Sequence, residues 1–573
     1  MIKRFALLCI MSLIFLITPL YSTAYSPKTI NAHSPLYEET DLLYRLHGLA
    51  LPSGARPWST AEAALILSVI PDGERTDALK KQALSRLETT LLKQDSNGLS
   101  HRFSTTVALE AYTHANTSQF VLPQDWSYNM DRRLPLFDFR MELQWNNTFY
   151  FATSVEAGPS AVTPQDAGVV IAENSTIHPG TDDGVYPNGI GAIIEAGNPS
   201  AKFLTTAILF KKAFNTNLMT FDKEFQANWP RDSQITLGGT WWNLSLGRGP
   251  ISWGTGQSGN LIIGDHIDSH NNLNISFFSE EFKLQFLYLF LPNPLQNPKQ
   301  RIFMGHRLET QPLPWLRLAI SENVMFYGEN FHLGYIDPTF IYHNIYNARD
   351  FNALAGLELH ISLAPGFSLH TQFALDQFQF ENEGGCEVNA FGFLAGMTHT
   401  ALVKKGVLST TLEVVATDPS LYRRNNVDFL LIRGLSNNGN PMTFDYLGYK
   451  WGSDSVAVSA EMVYLIPGEA RYSLNALFHR QGEVTIYGPH HKINDTTYTN
   501  DDNSNIPGPP LSGNEMTDQI IIGLEGSWWL TNTPMRFFSE LTWIGKRTYD
   551  TNTKVSSGKK GDFQLVAGMV YTF

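Results

Sequence analysis

Three short stretches set an aromatic ring beside amides, carboxylates or a cation: Trp253 with Gln257 and Asn260, Tyr327 with Glu329 and Asn330, and Tyr449 with Lys450, Trp451 and Asp454. A pyranose ring offers an apolar face that an aromatic covers, and hydroxyls that carboxylates, amides and cations bond. These residues, except Lys450, are therefore the nine candidate contacts to a polysaccharide. The same ring types also form the interface girdle of membrane proteins or pack loops together. Catalytic chemistry has weaker candidates. Asp265, His266, Asp268, His270 and the pair His490-His491 have metal-ligand types but no known ligand spacing. Glu358, Asp376, Glu381, Glu383 and Glu413 could supply a carboxylate pair, but glycoside hydrolysis needs two carboxyls at a defined separation, which spacing alone does not give. Nucleophile elbows, His-Glu-x-x-His and phosphate-binding glycine loops are missing. The chain reads as a binder and not an enzyme, with no metal and no cofactor.

The elements that position these residues must suit an unusual composition. Of 573 residues only 17% are charged while 43% are hydrophobic, and the formal charge is −13. So few charges exclude a disordered coil, and the acidic balance argues against a nucleic-acid partner. Lys3 and Arg4, the apolar run Phe5 to Leu20 and Ser22-Thr23-Ala24 have the order of a secretory signal peptide, assigned to residues 1–24. Its removal takes Cys9 and leaves Cys386 alone, so no intrachain disulfide is expected. No later stretch is long and apolar enough for a transmembrane helix.

Alternation reconciles high hydrophobicity with that absence. Phe563, Leu565, Ala567, Met569, Tyr571 and Phe573 occupy every second position, and the same period recurs at Ile520 to Leu530, Tyr472 to Phe478, Phe367 to Leu375 and Leu357 to Ile361. Runs of about ten residues match tilted strands that cross a bilayer. The last strand, closing on Tyr571 and Phe573, has the form that barrel assembly machinery reads. Ala364-Pro365-Gly366, Lys404-Lys405-Gly406, Pro467-Gly468-Glu469 and Thr531 to Pro534 are short turns, whereas 417–452, 481–518, 546–562 and Gly158 to Ser200 read as long polar loops. Short turns belong in the periplasm and long loops outside the cell, which predicts an all-β barrel of roughly 16 to 20 antiparallel strands over 99–573. Outer-membrane lipid is then a partner, and the barrel is expected to be a monomer. Residues 25–98 read as a periplasmic helical segment. Ser34-Pro35 opens a helix that Gly48 ends, Ser59-x-x-Glu62 is a capping box, and Leu79, Ala83, Leu84, Leu87 and Leu91 form an apolar stripe.

Asp41 to Gly48 followed by Arg56-Pro57-Trp58-Ser59, ahead of a large barrel, resemble the opening of the capsule assembly Wzi family. Gly247 to Gly256 with Gly259 to Ile263 is similar to the family's Trp-Gly-Pro-Gly stretch and the apolar run after it. Leu313 to Leu318 with Phe326 to Glu329, Ala355 to Leu359, Leu412-Glu413-Val414 and Asp445 to Tyr449 match further blocks in order. Two departures stand out: Ser252-Trp253-Gly254-Thr255 replaces a double aromatic, and Gly264 to Asp268 stands where asparagine and arginine are expected. The resemblance implies a barrel of about eighteen strands in the bacterial outer membrane, a non-catalytic lectin that binds or anchors capsular or surface polysaccharide. A channel for small solutes is the main alternative, and a surface glycan hydrolase a distant third.

Overall fold

The computed structural model describes residues 26–92, 98–120, 125–129, 132–158, 213–218, 230–292, 299–337, 341–342, 350–377, 390–423, 427–434, 442–486, 509–530 and 533–573. The expected signal peptide, Cys386, Glu381, Glu383, His490-His491 and most of the Gly158 to Ser200 stretch lie outside them.

Among the described residues, eighteen antiparallel strands close into one barrel. They are β1 (Leu99–His114), β2 (Phe137–Trp145), β3 (Phe149–Ala157), β4 (Ser233–Gly238), β5 (Trp242–Gly249) and β6 (His270–Phe278). Next come β7 (Phe282–Leu291), β8 (Gln300–Leu313), β9 (Leu316–Gly328), β10 (Phe351–Ala364), β11 (Phe367–Gln377) and β12 (Ala390–Val403). The ring ends with β13 (Gly406–Thr417), β14 (Ser455–Ile466), β15 (Ala470–Gln481), β16 (Glu515–Trp529), β17 (Met535–Asp550) and β18 (Val555–Thr572). Closure comes from β1 pairing with β18 at Thr106 opposite Thr572 through His114 opposite Gln564. The short strand Phe214–Thr216 adds to β1 beside this seam.

Alternation sorts the side chains as expected of a wall between lipid and a polar interior. On β18 Phe563 and Leu565 are exposed while Asp562, Gln564 and Val566 are buried; on β16 Ile520, Ile522 and Leu524 face outward. On β11 Ser368, His370, Gln372 and Asp376 point into the lumen. Trp145, Trp241 and Trp315 stand exposed beside short turns. The stretch 546–562 departs from the expected long loop. Lys546 through Asp550 remain in β17 and Val555 onward in β18, joined only by Thr551 to Lys554. Its polar composition marks strand ends that stand clear of lipid, where the backbone ladder still forms but the outer face needs no apolar side chains.

Among the described residues, three helices precede the barrel: α1 (Pro35–Leu46), α2 (Thr60–Ser68) and α3 (Asp77–Thr90). The Ser34 hydroxyl accepts from the Leu36 N–H at 3.3 Å, and Ser59 accepts from the Glu62 N–H at 3.1 Å. Only half of the expected capping box forms. The Glu62 carboxylate instead binds Lys283 of β7 at 2.7 Å, anchoring α2 to the inner wall. Leu43, Trp58, Leu67, Leu79, Ala83 and Leu87 make a shared core that extends onto Val407 and Leu465 of the barrel. The Gly366 N–H donates to the Arg45 carbonyl at 2.7 Å and the Ala50 N–H to the Pro314 carbonyl at 2.8 Å, so the helices dock at the short-turn end. Gly48 adopts φ 69°, and a Cβ there would lie 3.2 Å from Pro365, so the turn and the close approach both require glycine.

Candidate functional site

The connection between β5 and β6 and the expected outward loop 417–452 fold into the lumen. Between β5 and β6, Ile251, Trp253, Leu261, Ile262, Ile263 and Ile267 are buried in one cluster with Leu421, Tyr422, Phe429 to Ile432, Leu447 and Tyr449 from the connection between β13 and β14. Such a run of branched apolar residues cannot stay in water, and lipid is on the far side of the wall, so it packs along the barrel axis. Ser252–Trp253 pairs with Ala55–Arg56, and the Gly254 N–H donates to the Gly54 carbonyl at 3.0 Å. The loop from one end and the helical segment from the other therefore meet inside the barrel.

This arrangement places the nine candidate residues in different settings. Trp253 is fully buried; its ring lies against Phe303 at 6.3 Å and under the Arg307 guanidinium at 5.7 Å. A Cβ at residue 305 would come within 2.7 Å of the indole, so Gly305 on β8 makes the room. Asn260 is buried and accepts from the Gly256 N–H at 3.0 Å and the Gln372 side chain at 2.7 Å. Gln257 keeps its side chain exposed while its N–H donates to Glu413 at 2.9 Å. Tyr327 is buried at the end of β9 with the Lys299 ammonium 4.9 Å from its ring, and Glu329 and Asn330 beyond it are exposed. Tyr449 is fully buried, which holds its phenol above the usual range. Trp451 is half-buried, stacked on His479 at 4.5 Å with Lys450 over its ring at 5.3 Å. Asp454, buried with φ 55°, accepts from the Ser512 N–H at 2.7 Å and the Val484 N–H at 2.9 Å, tying two loops together.

Glu413 of β13 is the latch of the inward loop. It accepts from the Gln257 N–H and the Ser258 N–H, each at 2.9 Å, from the Ser258 hydroxyl, and it pairs with His370 at 2.7 Å. Arg307 spans Glu358, at 2.5 and 2.9 Å, and Glu309 at 2.8 Å. Glu358 and Glu413, read above among the possible hydrolytic carboxylates, are thus held by neighbouring strands and by the plug. Asp268 lies 3.5 Å from Arg231, and among the described residues no group of three or more His, Cys, Asp or Glu could hold a metal.

Beside the plug runs a cavity of about 930 Å³, between α1 with the segment around 254–268 and the inner faces of β13 to β18 and β1 to β3. Its walls alternate carboxylates and guanidinium groups: Arg471 with Glu38 at 2.9 Å, Arg132 with Glu540 at 2.8 Å, Arg140 with Asp232 at 3.2 Å and Arg231 with Glu156 at 3.6 Å. Of the nine candidate residues, Gln257 and Asn260 line this cavity. Most of the rest of its lining comes from α1 and from nine strands, one to four residues at a time, and only barrel closure brings them together.

A closed eighteen-stranded wall, apolar outside and filled within by its own chain, defines an outer-membrane β-barrel of the occluded kind. The family model of the capsule assembly protein Wzi matches residues 230–484, the stretch that holds every barrel block quoted above for that resemblance. The solved structure of Wzi from Escherichia coli, described as an outer membrane protein involved in group 1 capsule assembly and a carbohydrate-binding β-barrel, aligns with a TM-score of 0.56. That alignment has 14% identity and covers 95% of this chain and 99% of that one. OmpT of Vibrio cholerae gives a TM-score of 0.34 at 8% identity over 84% of this chain and 99% of its own. OprD of Pseudomonas aeruginosa gives 0.36 at 8% over 82% and 95%. No curated protein matches the chain. The barrel resides in the outer membrane.

Proposed function

We propose that this protein binds or anchors exported capsular or surface polysaccharide, without catalysis, as a monomer whose helical segment faces the periplasm after residues 1–24 direct export. The observation that carries this reading is the filled lumen: 250–269 packs with the loop after β13 and meets Gly54 to Arg56, between α1 and α2, inside the barrel. A wall of this size with its axis occupied is suited to holding a ligand and poorly suited to conducting one, which sets the channel alternative second. The E. coli relative, described as carbohydrate binding, supports the same ligand class.

At the loop end, Trp451 with Lys450 and Tyr327 with Glu329 and Asn330 are the groups left to meet a glycan, whereas Trp253, Asn260, Tyr449 and Asp454 act by shaping the plug. Trp451→Ala and Glu329→Gln should each weaken retention of the cell's surface polysaccharide by about 1 to 3 kcal/mol, read by isothermal titration on purified protein. Trp253→Ala should instead lower stability, since it removes a large buried ring. A parent protein that retains no polysaccharide yet conducts ions steadily in a planar bilayer would give first place to the channel.

The orientation has its own test. A tag within 498–510, of which 498–508 lie outside the described residues, should be labelled by antibody on intact cells. One at Lys404 to Gly406, a tight turn with φ 53° at Lys404, should be labelled only after permeabilisation. The opposite pattern would invert the assignment of the two barrel ends.

A further inference from the structure

On the outer wall, the alternation that turns apolar side chains to lipid ends in charge. Along β15 the outward positions run Tyr472, Leu474, Phe478 and then Arg480. Along β16 they run Trp528, Leu524, Ile522, Ile520 and then Asp518, and along β17 Phe537, Leu541, Trp543 and then Arg547. The three charged residues are direct cross-strand neighbours, Arg480 opposite Asp518 and Asp518 opposite Arg547. Lys559, exposed on β18, joins the row with Gly558 at the bulge that lies opposite Arg547.

Height along the wall decides what this row meets. At the short-turn end the Trp528 indole donates to the Tyr472 hydroxyl at 3.0 Å. From Trp528 to Asp518 the wall rises roughly 26 Å, at about 3.4 Å per residue and a tilt of about 40°, which is the height of the apolar band in such barrels. Trp543 stands just below the row. Gly545 makes room for it, since a Cβ there would come within 2.8 Å of the indole. An indole at that level belongs to the loop-end aromatic girdle, so the row sits where acyl chains give way to headgroups in the outer leaflet.

The charge of the row is unbalanced. Asp518, almost fully buried, accepts from Arg480 Nε and Nη2 at 2.5 and 2.9 Å and from Arg547 Nε at 2.8 Å. One carboxylate thus orients two guanidinium groups and leaves Nη1 of each for another acceptor. The Arg480 guanidinium also rests over the Tyr549 ring at 4.8 Å, and the Arg547 side chain stays 42% exposed. Asp518 is the one carboxylate at the outward positions of β15 to β18 above Ile520 among the described residues, so with Lys559 the row carries an excess of two positive charges. Two fixed guanidinium forks beside an ammonium match the several oxygens of a phosphate, and basic clusters at a membrane surface recognise anionic headgroups in this way.

We infer that Arg480, Arg547 and Lys559 form a site on the outer wall for the phosphate of an outer-leaflet glycolipid, which the barrel carries as a bound lipid. The site is separate from the lumen and from the loop-end aromatics, and it does not depend on the polysaccharide-binding reading.

The probe is diphosphoryl lipid A, added to the detergent-solubilised full-length protein and compared with its dephosphorylated form, with bound lipid counted by native mass spectrometry. The parent should hold the phosphorylated lipid in clear preference. R547Q should weaken that binding by about tenfold, the scale of one lost charge-assisted contact, R547K should recover part of it, and K559Q should show a smaller loss. The compact band on semi-native gels shows whether each barrel is folded; if R547Q is not, K559Q, which leaves the Asp518 contacts intact, carries the test. The site is overturned if folded R547Q or K559Q holds as much lipid A as the parent, or if the parent holds both lipids equally or neither. Complete displacement of the lipid by an equal concentration of inorganic phosphate would make the occupant a free phosphate and overturn the lipid assignment. Retention of surface polysaccharide should be the same in R547Q, K559Q and the parent; a parallel loss would place these residues in the polysaccharide site and overturn the separate lipid site.

Discussion

Glu413→Ala should release the inward loop and turn an occluded barrel into a conducting one. The carboxylate accepts from two consecutive N–H groups and one hydroxyl of the loop and pairs with His370 across the wall. Alanine strands all of these donors in a lumen where Glu413 and His370 are almost fully buried. Leaving several buried donors unmade costs about 3 to 5 kcal/mol in total, enough to let 254–260 leave its place. Single-channel recordings should show the parent quiet and the variant with frequent open steps, and protease added to purified barrels should cut the variant within 250–269. If the variant stays as quiet and as protected as the parent, Glu413 is not the latch. Glu413→Gln, which keeps an accepting oxygen, should fall between the two.

Removing the other buried charge centre should cost stability and leave conductance low. Arg307, buried on β8, neutralises Glu358 on β10 and Glu309 on its own strand, and its guanidinium covers the Trp253 ring. Arg307→Ala would leave two buried carboxylates facing each other, with Arg317 reaching Glu309 only at 3.5 Å. The expected loss is about 3 to 5 kcal/mol, seen as a lower urea midpoint in micelles and a lower temperature for losing the compact band on semi-native gels. Adding Glu358→Gln to Arg307→Ala should restore part of the loss, because the uncompensated charge is then gone. Were the double variant no better than the single one, lost packing against Trp253 would be the larger effect.

The wall of this barrel is legible in the sequence because lipid outside and a polar lumen inside impose a period of two on each strand, as in Phe563, Leu565 and Ala567 against Asp562, Gln564 and Val566. The helices are equally local: Ser34, Ser59 and Gly48 act within a few residues of themselves. The family blocks likewise sit within single strands and turns. What no short window carries is the direction of a long connection. Leu261-Ile262-Ile263 signals burial, but only closure of the ring supplies an interior for it to enter, and only then do Gly305, Gln372 and Glu413, from three separate strands, become its receptor. For the same reason Trp253, expected to contact a polysaccharide, became part of the plug, while Arg45 and Arg536, unremarkable 491 positions apart in the chain, came to line one cavity. Side-chain alternation is set residue by residue through contact with solvent and lipid, whereas the lumen and its ligand-facing groups exist only once β1 has met β18.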